Sequence, residues 1–205
     1  METEVAHFQY RGEYVDLAAP KGDHITRILR RGTFYEIDLL EAIRELEIEG
    51  PYVDCGAHVG NHSVYFARFC KSTEVCAVEC NLDLIPFLDK NFGSLGAMIQ
   101  VYVGDGEPVR WVPGPELNVG MGKTVPGGDI PTRTLAQICP DDTALVKLDL
   151  EGAEPRVLRA SRDWIMKHRP VIVAEAVDPA EIDDLLGWPR MGPYALTPTW
   201  IWRAP

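Results

Sequence analysis

Residues 51–62 read Pro-Tyr-Val-Asp-Cys-Gly-Ala-His-Val-Gly-Asn-His, a short apolar run that ends in Asp54 and leads into two glycines four positions apart. An amphipathic segment, residues 63–69, follows at once. That is the order strand, tight turn, helix, with Gly56 and Gly60 where the backbone must bend sharply or lie close to something. In an open α/β sheet, ligands bind in the crevice beyond the carboxyl end of such a strand. The rest of the chain is therefore expected to supply further strands and helices around this turn.

It does so repeatedly. Residues 6–19 alternate apolar and polar about Arg11-Gly12-Glu13, which predicts a short hairpin or an edge strand. Asp23 is placed to cap a helix through about Arg31, closed by Gly32. Ile37, Leu40, Ile43, Leu46 and Ile48 have helical spacing. Glu74–Glu79 has the unbroken apolar run of a strand covered on both faces. A helix is expected at 84–92 with Pro86 in its first turn, and a third strand at 98–103. Residues 107–131 are rich in Gly and Pro and read as a long loop, with one short strand at 109–112. Then come a short helix at 134–138, a fourth strand at 144–150, a helix within 154–168, a fifth strand at 171–175 and a helix at 181–186. The tail, with Tyr194, Leu196, Trp200, Ile201 and Trp202, suits one or two closing strands. Alternation of this kind predicts an α/β fold, a doubly wound and mostly parallel sheet with right-handed crossovers. A single domain over 1–205 is expected, with residues 1–50 as a hairpin and helices leading into the 51–205 core.

Charge narrows the partners. Thirty-one acidic against 20 basic residues give a net charge of −11, which argues against gripping nucleic acid by its phosphates. Arg27, Arg30 and Arg31 are read as a solvated helix face. No apolar run approaches membrane-spanning length, and the acidic start Met1-Glu2-Thr3-Glu4 does not resemble a signal peptide. Five cysteines without a Cys-x-x-Cys pair or zinc-ligand spacing suggest reduced thiols in the cytoplasm.

The glycine spacing discriminates between ligands. A dinucleotide fingerprint begins Gly-x-Gly, whereas this chain has Asp54-x-Gly56-x-x-x-Gly60. The Gly-Lys-Thr at 122–124 has Leu117 where a phosphate-binding loop needs glycine, and no Tyr-x-x-x-Lys occurs. Glu79 ends the second strand 19 residues after Gly60, where a carboxylate can accept from the ribose hydroxyls of an adenosine-bearing ligand. Asp105 ends the third strand beside Gly104 and could face an adenine amino group; Asp-Gly also simply makes turns.

The chain resembles the FkbM-type family of S-adenosylmethionine-dependent methyltransferases, a class I, Rossmann-like group. The resemblance runs from about Asp23 to Glu175 and is carried by residues 52–62, Pro131-Thr-Arg-Thr-Leu135, Val146-Lys-Leu-Asp-Leu-Glu-Gly-Ala-Glu154 and Arg169-Pro-Val-Ile-Val-Ala-Glu175. His58 departs from it, since the family usually has Asn there, and its titration could make cofactor binding sensitive to pH. The resemblance implies a seven-stranded sheet and methyl transfer, typically to a hydroxyl of a sugar or natural-product scaffold. It implies S-adenosylmethionine as cofactor, held by Asp54, Gly56, Ala57, His58, Gly60, Asn61, His62, Glu79, Asn81 and Asp105.

Methylating an alcohol requires in-line alignment, exclusion of water and a base for the hydroxyl proton. Asp149, Glu151 and His62 are the candidates. Lys147, Asp149 and Glu151 would share one face of a continuous strand, with Lys147 as an internal ion-pair partner. Glu36, Arg133 and Glu175 are candidate substrate contacts, and Phe34-Tyr35-Glu36 could form a lid or simply pack. His58 and His62 stand four apart, but no third ligand signal accompanies them and no metal is expected. A small-molecule hydroxyl acceptor is the expected partner, with no nucleic acid and no membrane. A catalytically silent cofactor-binding module and a nicotinamide oxidoreductase are the alternative classes.

Overall fold

A computed structural model describes residues 1–115, 118–194 and 198–205. Strands β1 (Thr3–Tyr10) and β2 (Glu13–Pro20) form the expected hairpin, in register from Thr3 opposite Pro20 to Tyr10 opposite Glu13. Helix α1 (His24–Leu29) begins under Asp23, whose side chain accepts from the Ile25 amide at 3.0 Å. Helix α2 (Ile37–Glu45) buries Leu39, Leu40 and Ile43. Then come β3 (Gly50–Cys55), α3 (Asn61–Phe69), β4 (Ser72–Glu79) and α4 (Ile85–Phe92), all close to their sequence-based positions.

The segment expected as one strand at 98–103 is two. β5 (Ala97–Gln100) joins the main sheet, while β6 (Tyr102–Val103) leaves it to pair with β9 (Thr132–Arg133). The expected loop at 107–131 holds an antiparallel hairpin, β7 (Val109–Val112) with β8 (Lys123–Pro126), and a 3-10 turn at Val119–Met121. Its second strand carries no clear sequence signal, because Lys-Thr-Val-Pro is short and ends in a proline that cannot donate to a ladder.

Helix α5 (Leu135–Ile138) opens with a capping box of Thr134 and Gln137. β10 (Leu145–Leu148) is shorter than expected and stops before Asp149. The helix expected within 154–168 divides at Ser161 into α6 (Glu154–Ala160) and α7 (Arg162–His168). β11 (Val171–Glu175), α8 (Ala180–Leu186), β12 (Arg190–Tyr194) and β13 (Thr199–Trp202) complete the chain. Leu196 lies outside the described residues.

The central sheet has seven strands in the order β12-β13-β11-β10-β3-β4-β5. β13 runs antiparallel to both neighbours; the other pairs are parallel. Successive strand residues serve opposite faces. Tyr52, Val75, Ala77, Leu145 and Val173 join the core built with the N-terminal hairpin and α1–α4. Val53, Val78, Val146, Leu148 and Ile172 join the core under α6–α8. Cover on both faces is why these strands read as continuous apolar runs. Arg30 pairs with Glu4 of β1, so at least one of the three arginines near α1 has a structural partner.

Candidate active site

The paired register Val78, Cys55, Leu148, Ala174 crosses four adjacent strands. Continuing it by one residue gives the row Glu79, Gly56, Asp149, Glu175 along the carboxyl edge of the sheet. One pleat below lies the row Ala77, Asp54, Lys147, Val173. A cavity of about 470 Å³ sits over the upper row.

Lys147, 2% exposed, is the pivot beneath it. Its ammonium lies 3.2 Å from Asp54 Oδ1 and 3.4 Å from Asp149 Oδ2, and donates to the Gly56 carbonyl at 3.1 Å. Burial works against its charge, yet Asp54 and then Asp149 hold its pKa above the ordinary lysine value. Burial would likewise raise Asp54, but Lys147, His62 and the Ser63 hydroxyl at 2.6 Å carry it below the usual carboxylate range. Asp54 is fully buried and is not in the cavity wall. Its expected place among cofactor ligands is corrected to a buried anchor for Lys147.

The glycines also act inside the protein. Gly56 has φ +80°, and a Cβ there would stand 2.0 Å from the Asp149 carbonyl oxygen. The close approach predicted for it is to the neighbouring strand's backbone. The Gly56 and Ala57 amides both donate to the Val78 carbonyl, so neither is free for a ligand, although both residues line the cavity. Gly60 (φ +87°) lies outside the wall, and a Cβ there would meet Leu88 at 2.9 Å.

At the β4 end, Glu79 accepts from the Cys80 and Asn81 amides on Oε1 (2.9 and 2.7 Å) and from the His58 amide on Oε2 (2.8 Å). Three of roughly four carboxylate acceptor positions are filled, leaving about one for a ligand. Both ribose hydroxyls can therefore share this group only through a bifurcated contact. Asn81 Oδ1 accepts from the Asp83 amide, and Asn81 borders the cavity. His58 has φ +54° and precedes α3, so it does not share a helical face with His62. Its ring lines the cavity, burial lowers its pKa, and its Nδ1 has no hydrogen-bond partner. The imidazole expected to titrate near neutrality is thus held toward its uncharged form.

Asn61 clamps Tyr35, accepting from its amide and donating to its carbonyl, both at 3.0 Å. The segment 34–36 divides its duties. Phe34 is fully buried against Phe8, Tyr10, Tyr65 and Phe69, whereas Tyr35 forms part of the cavity wall. Glu36 lies outside the wall, with Oε2 3.1 Å from His62 Nε2. No hydrogen bond to that nitrogen is aligned, although His62 is only 5% exposed.

At the other end, Asp149, Glu151 and Glu175 line the cavity together. Because β10 stops at Leu148, strand alternation does not place Glu151; a turn with φ +54° brings it in. Burial first, then Asp149 and Glu154, raise Glu151 to about 7. Burial first, then Asp149, Glu151 and Glu154, raise Glu175 to about 8. Glu154 itself is raised to about 7 by burial, against the lowering effect of hydrogen bonds such as Leu150 N to its Oε1 at 2.6 Å.

Two expected contacts fall elsewhere. Asp105 accepts from the Glu107 amide and pairs with Arg156 at 3.7 Å, outside the wall. Arg133, on β9, borders a separate depression with Gln100, Tyr102 and Gln137. The position of Asp105 follows from the split of the third strand, while Arg133 sits on β9, which pairs with the departing β6. Conversely, Asp23, Leu84, Val103, Trp111 and Val119–Gly122 line the cavity without having been assigned to it from sequence. Asp23 was legible only as a helix cap; its second oxygen accepts from the Val119 amide at 3.1 Å.

No family model matches the sequence, and no curated protein matches it. Solved structures do. The methyltransferase FkbM from Methylobacillus flagellatus KT superposes over 76% of this chain and 43% of its own, with a TM-score of 0.54 and 21% identity. The fold is that of class I methyltransferases. The 16S rRNA N2 methyltransferase RsmC of T. thermophilus shares this methyltransferase fold at a TM-score of 0.56 and 13% identity, over 99% of this chain and 51% of its own. A precorrin-6y C5,15-methyltransferase from Geobacter metallireducens GS-15 shares it at 0.52 and 15%, over 82% and 87%. The chain spans about half the length of RsmC and less than half that of the FkbM structure. Among the described residues, no helix is long and apolar enough to cross a membrane, and no group of three His, Cys, Asp or Glu side chains could hold a metal.

Proposed function

We propose that this chain is an S-adenosylmethionine-dependent methyltransferase of the cytoplasm that methylates a hydroxyl of a small molecule. The observation that carries the reading is the row Glu79, Gly56, Asp149, Glu175 beneath one cavity at the carboxyl edge of a methyltransferase-type sheet. RsmC, which has the same fold, was solved with AdoMet and guanosine.

The residues present fit the cofactor. Glu79 keeps an acceptor position, the orphaned Nδ1 of His58 lacks a partner, and Ile25, Leu84, Val103 and Leu150 supply apolar wall. In this reading Glu79, His58 and Asn81 hold the nucleoside end, and Asp149, steadied by Lys147, faces the opposite end. The bound cofactor supplies an electrophilic methyl group on a sulfonium sulfur. The chain's own residues position the acceptor and take its proton. Glu151 suits the base role, because a carboxyl that ionises near pH 7 has basicity matched to the working pH. His62, beside Glu36, orients the wall rather than receiving the proton.

The net charge of −11 and the acidic cavity favour a small-molecule acceptor over nucleic acid, the substrate class in RsmC's name. Calorimetry with S-adenosylmethionine and S-adenosylhomocysteine tests the reading, followed by methyl-transfer assays on alcohol panels. Binding of both supports it. Binding of NAD with neither sulfur ligand overturns it, and cofactor binding without turnover on any alcohol favours the silent module.

A further inference from the structure

The acidic end of the cavity exceeds what removing one proton requires. Asp149, Glu151 and Glu175 line it, Glu154 and Glu36 stand close enough to act on Glu175, and no lysine or arginine is among the described lining residues, although Lys123, between the lining Gly122 and Thr124, acts on Glu151. Lys147 is already engaged by Asp54, Asp149 and the Gly56 carbonyl beneath the floor. Burial first, and repulsion among the neighbouring carboxylates next, keeps protons on Glu151 and Glu175 far above the ordinary range, with Lys123 and Lys147 acting the other way on Glu151. A ligand cation would relieve that repulsion.

Two further groups stand in the same wall. Tyr35 presents an aromatic ring, and its phenol is kept un-ionised by burial first and by Glu36, Asp149 and Glu175 next. His62 is 5% exposed, borders the cavity and has an Nε2 that no hydrogen bond satisfies. Glu79 and Glu175 end strands separated by β3 and β10, three inter-strand steps or roughly 14 Å. The cluster therefore lies at the opposite end of the row from the group assigned to the nucleoside.

We propose that the acceptor is an amine-bearing alcohol, whose ammonium sits between Glu175 and the face of Tyr35 while its hydroxyl meets Glu151. The inference rests on the methyltransferase reading and adds the charge class of the substrate. Glu175 and Tyr35 become its specificity determinants.

The test uses the full chain saturated with S-adenosylhomocysteine and matched trios of probes that differ only in charge. Suitable trios are glucosamine, N-acetylglucosamine and glucuronate, and tyramine, N-acetyltyramine and 4-hydroxyphenylacetate. Calorimetric binding is expected to favour the amine at least tenfold over its neutral partner in one trio or more, with the carboxylate weakest. Glu175→Gln and Tyr35→Leu are each expected to shrink that preference about tenfold, with S-adenosylhomocysteine affinity held within twofold. Equal binding within every trio, or a neutral or anionic probe binding tightest, overturns the proposal. So does an amine preference that survives Glu175→Gln. Failure to bind S-adenosylhomocysteine would instead remove the methyltransferase reading on which the proposal stands.

Discussion

Lys147 shows how much of this site depends on single side chains. It sits in the lower row with one carboxylate beside it on β3 and another one pleat above. Removing one partner of a buried pair leaves an uncompensated charge, at a cost of about 3–5 kcal/mol. Lys147→Met should lower unfolding free energy by that amount in urea titrations, with Asp54 as the stranded group. Glu79→Ala should weaken S-adenosylhomocysteine binding by about 10- to 100-fold in calorimetry, the worth of a hydrogen bond to a charged group. An unchanged affinity would place the nucleoside elsewhere. Glu151 must be ionised to accept a proton, so turnover should rise with pH through about 7. In Glu151→Gln that limb should vanish along with most of the rate.

Elements position these residues through a few specific constraints. Strands β3 and β10 approach so closely that Gly56→Ala would drive a methyl group into the Asp149 carbonyl at a positive-φ position. A loss of about 3 kcal/mol or more is expected, read as a lowered midpoint in chemical denaturation. The β7–β8 hairpin roofs the cavity and is tied down where Asp23 receives the Val119 amide. Asp23→Ala should cost about 1 kcal/mol through the lost α1 cap and should raise hydrogen exchange across 118–122 selectively. Exchange that is unchanged there would show that the roof is held by other contacts.

Across the whole molecule, acidic groups of opposite tendency set the pH response. Glu151, Glu154 and Glu175 ionise in the folded protein near pH 7 to 8 instead of 4.5. The native state therefore holds more protons than the unfolded chain between those limits, and stability falls as pH rises through that window. Asp54 has the opposite shift, so its contribution is present above about pH 3.8 and lost as pH falls below it. Melting temperature should decline from pH 5 to pH 8.5, and Glu175→Gln should flatten that decline. A profile that rises over this range would contradict the burial of these carboxyls.

The fold was legible because its signals are local. The apolar runs of β3, β4, β10 and β11, the Asp23 cap and the glycine turn each need only their neighbours in sequence to be recognised. Glu79, His58, Asn81, Asp149, Glu151 and Glu175, singled out from sequence, all line one cavity, since strand ends and their following turns collect at one edge of a parallel sheet. What the sequence could not decide was direction and depth. Asp54 points into the lower row, Gly60 serves packing against Leu88, and Asp105 and Arg133 leave with β6 and β9. The roof over the cavity was equally hidden, because β8 has no recognisable pattern until β7 pairs with it. Chain order determined that there would be a crevice beyond Asp54. Only cross-strand register and the long-range contacts of Lys147, Asp23 and Asn61 decided which side chains face it, since they join residues far apart in the chain.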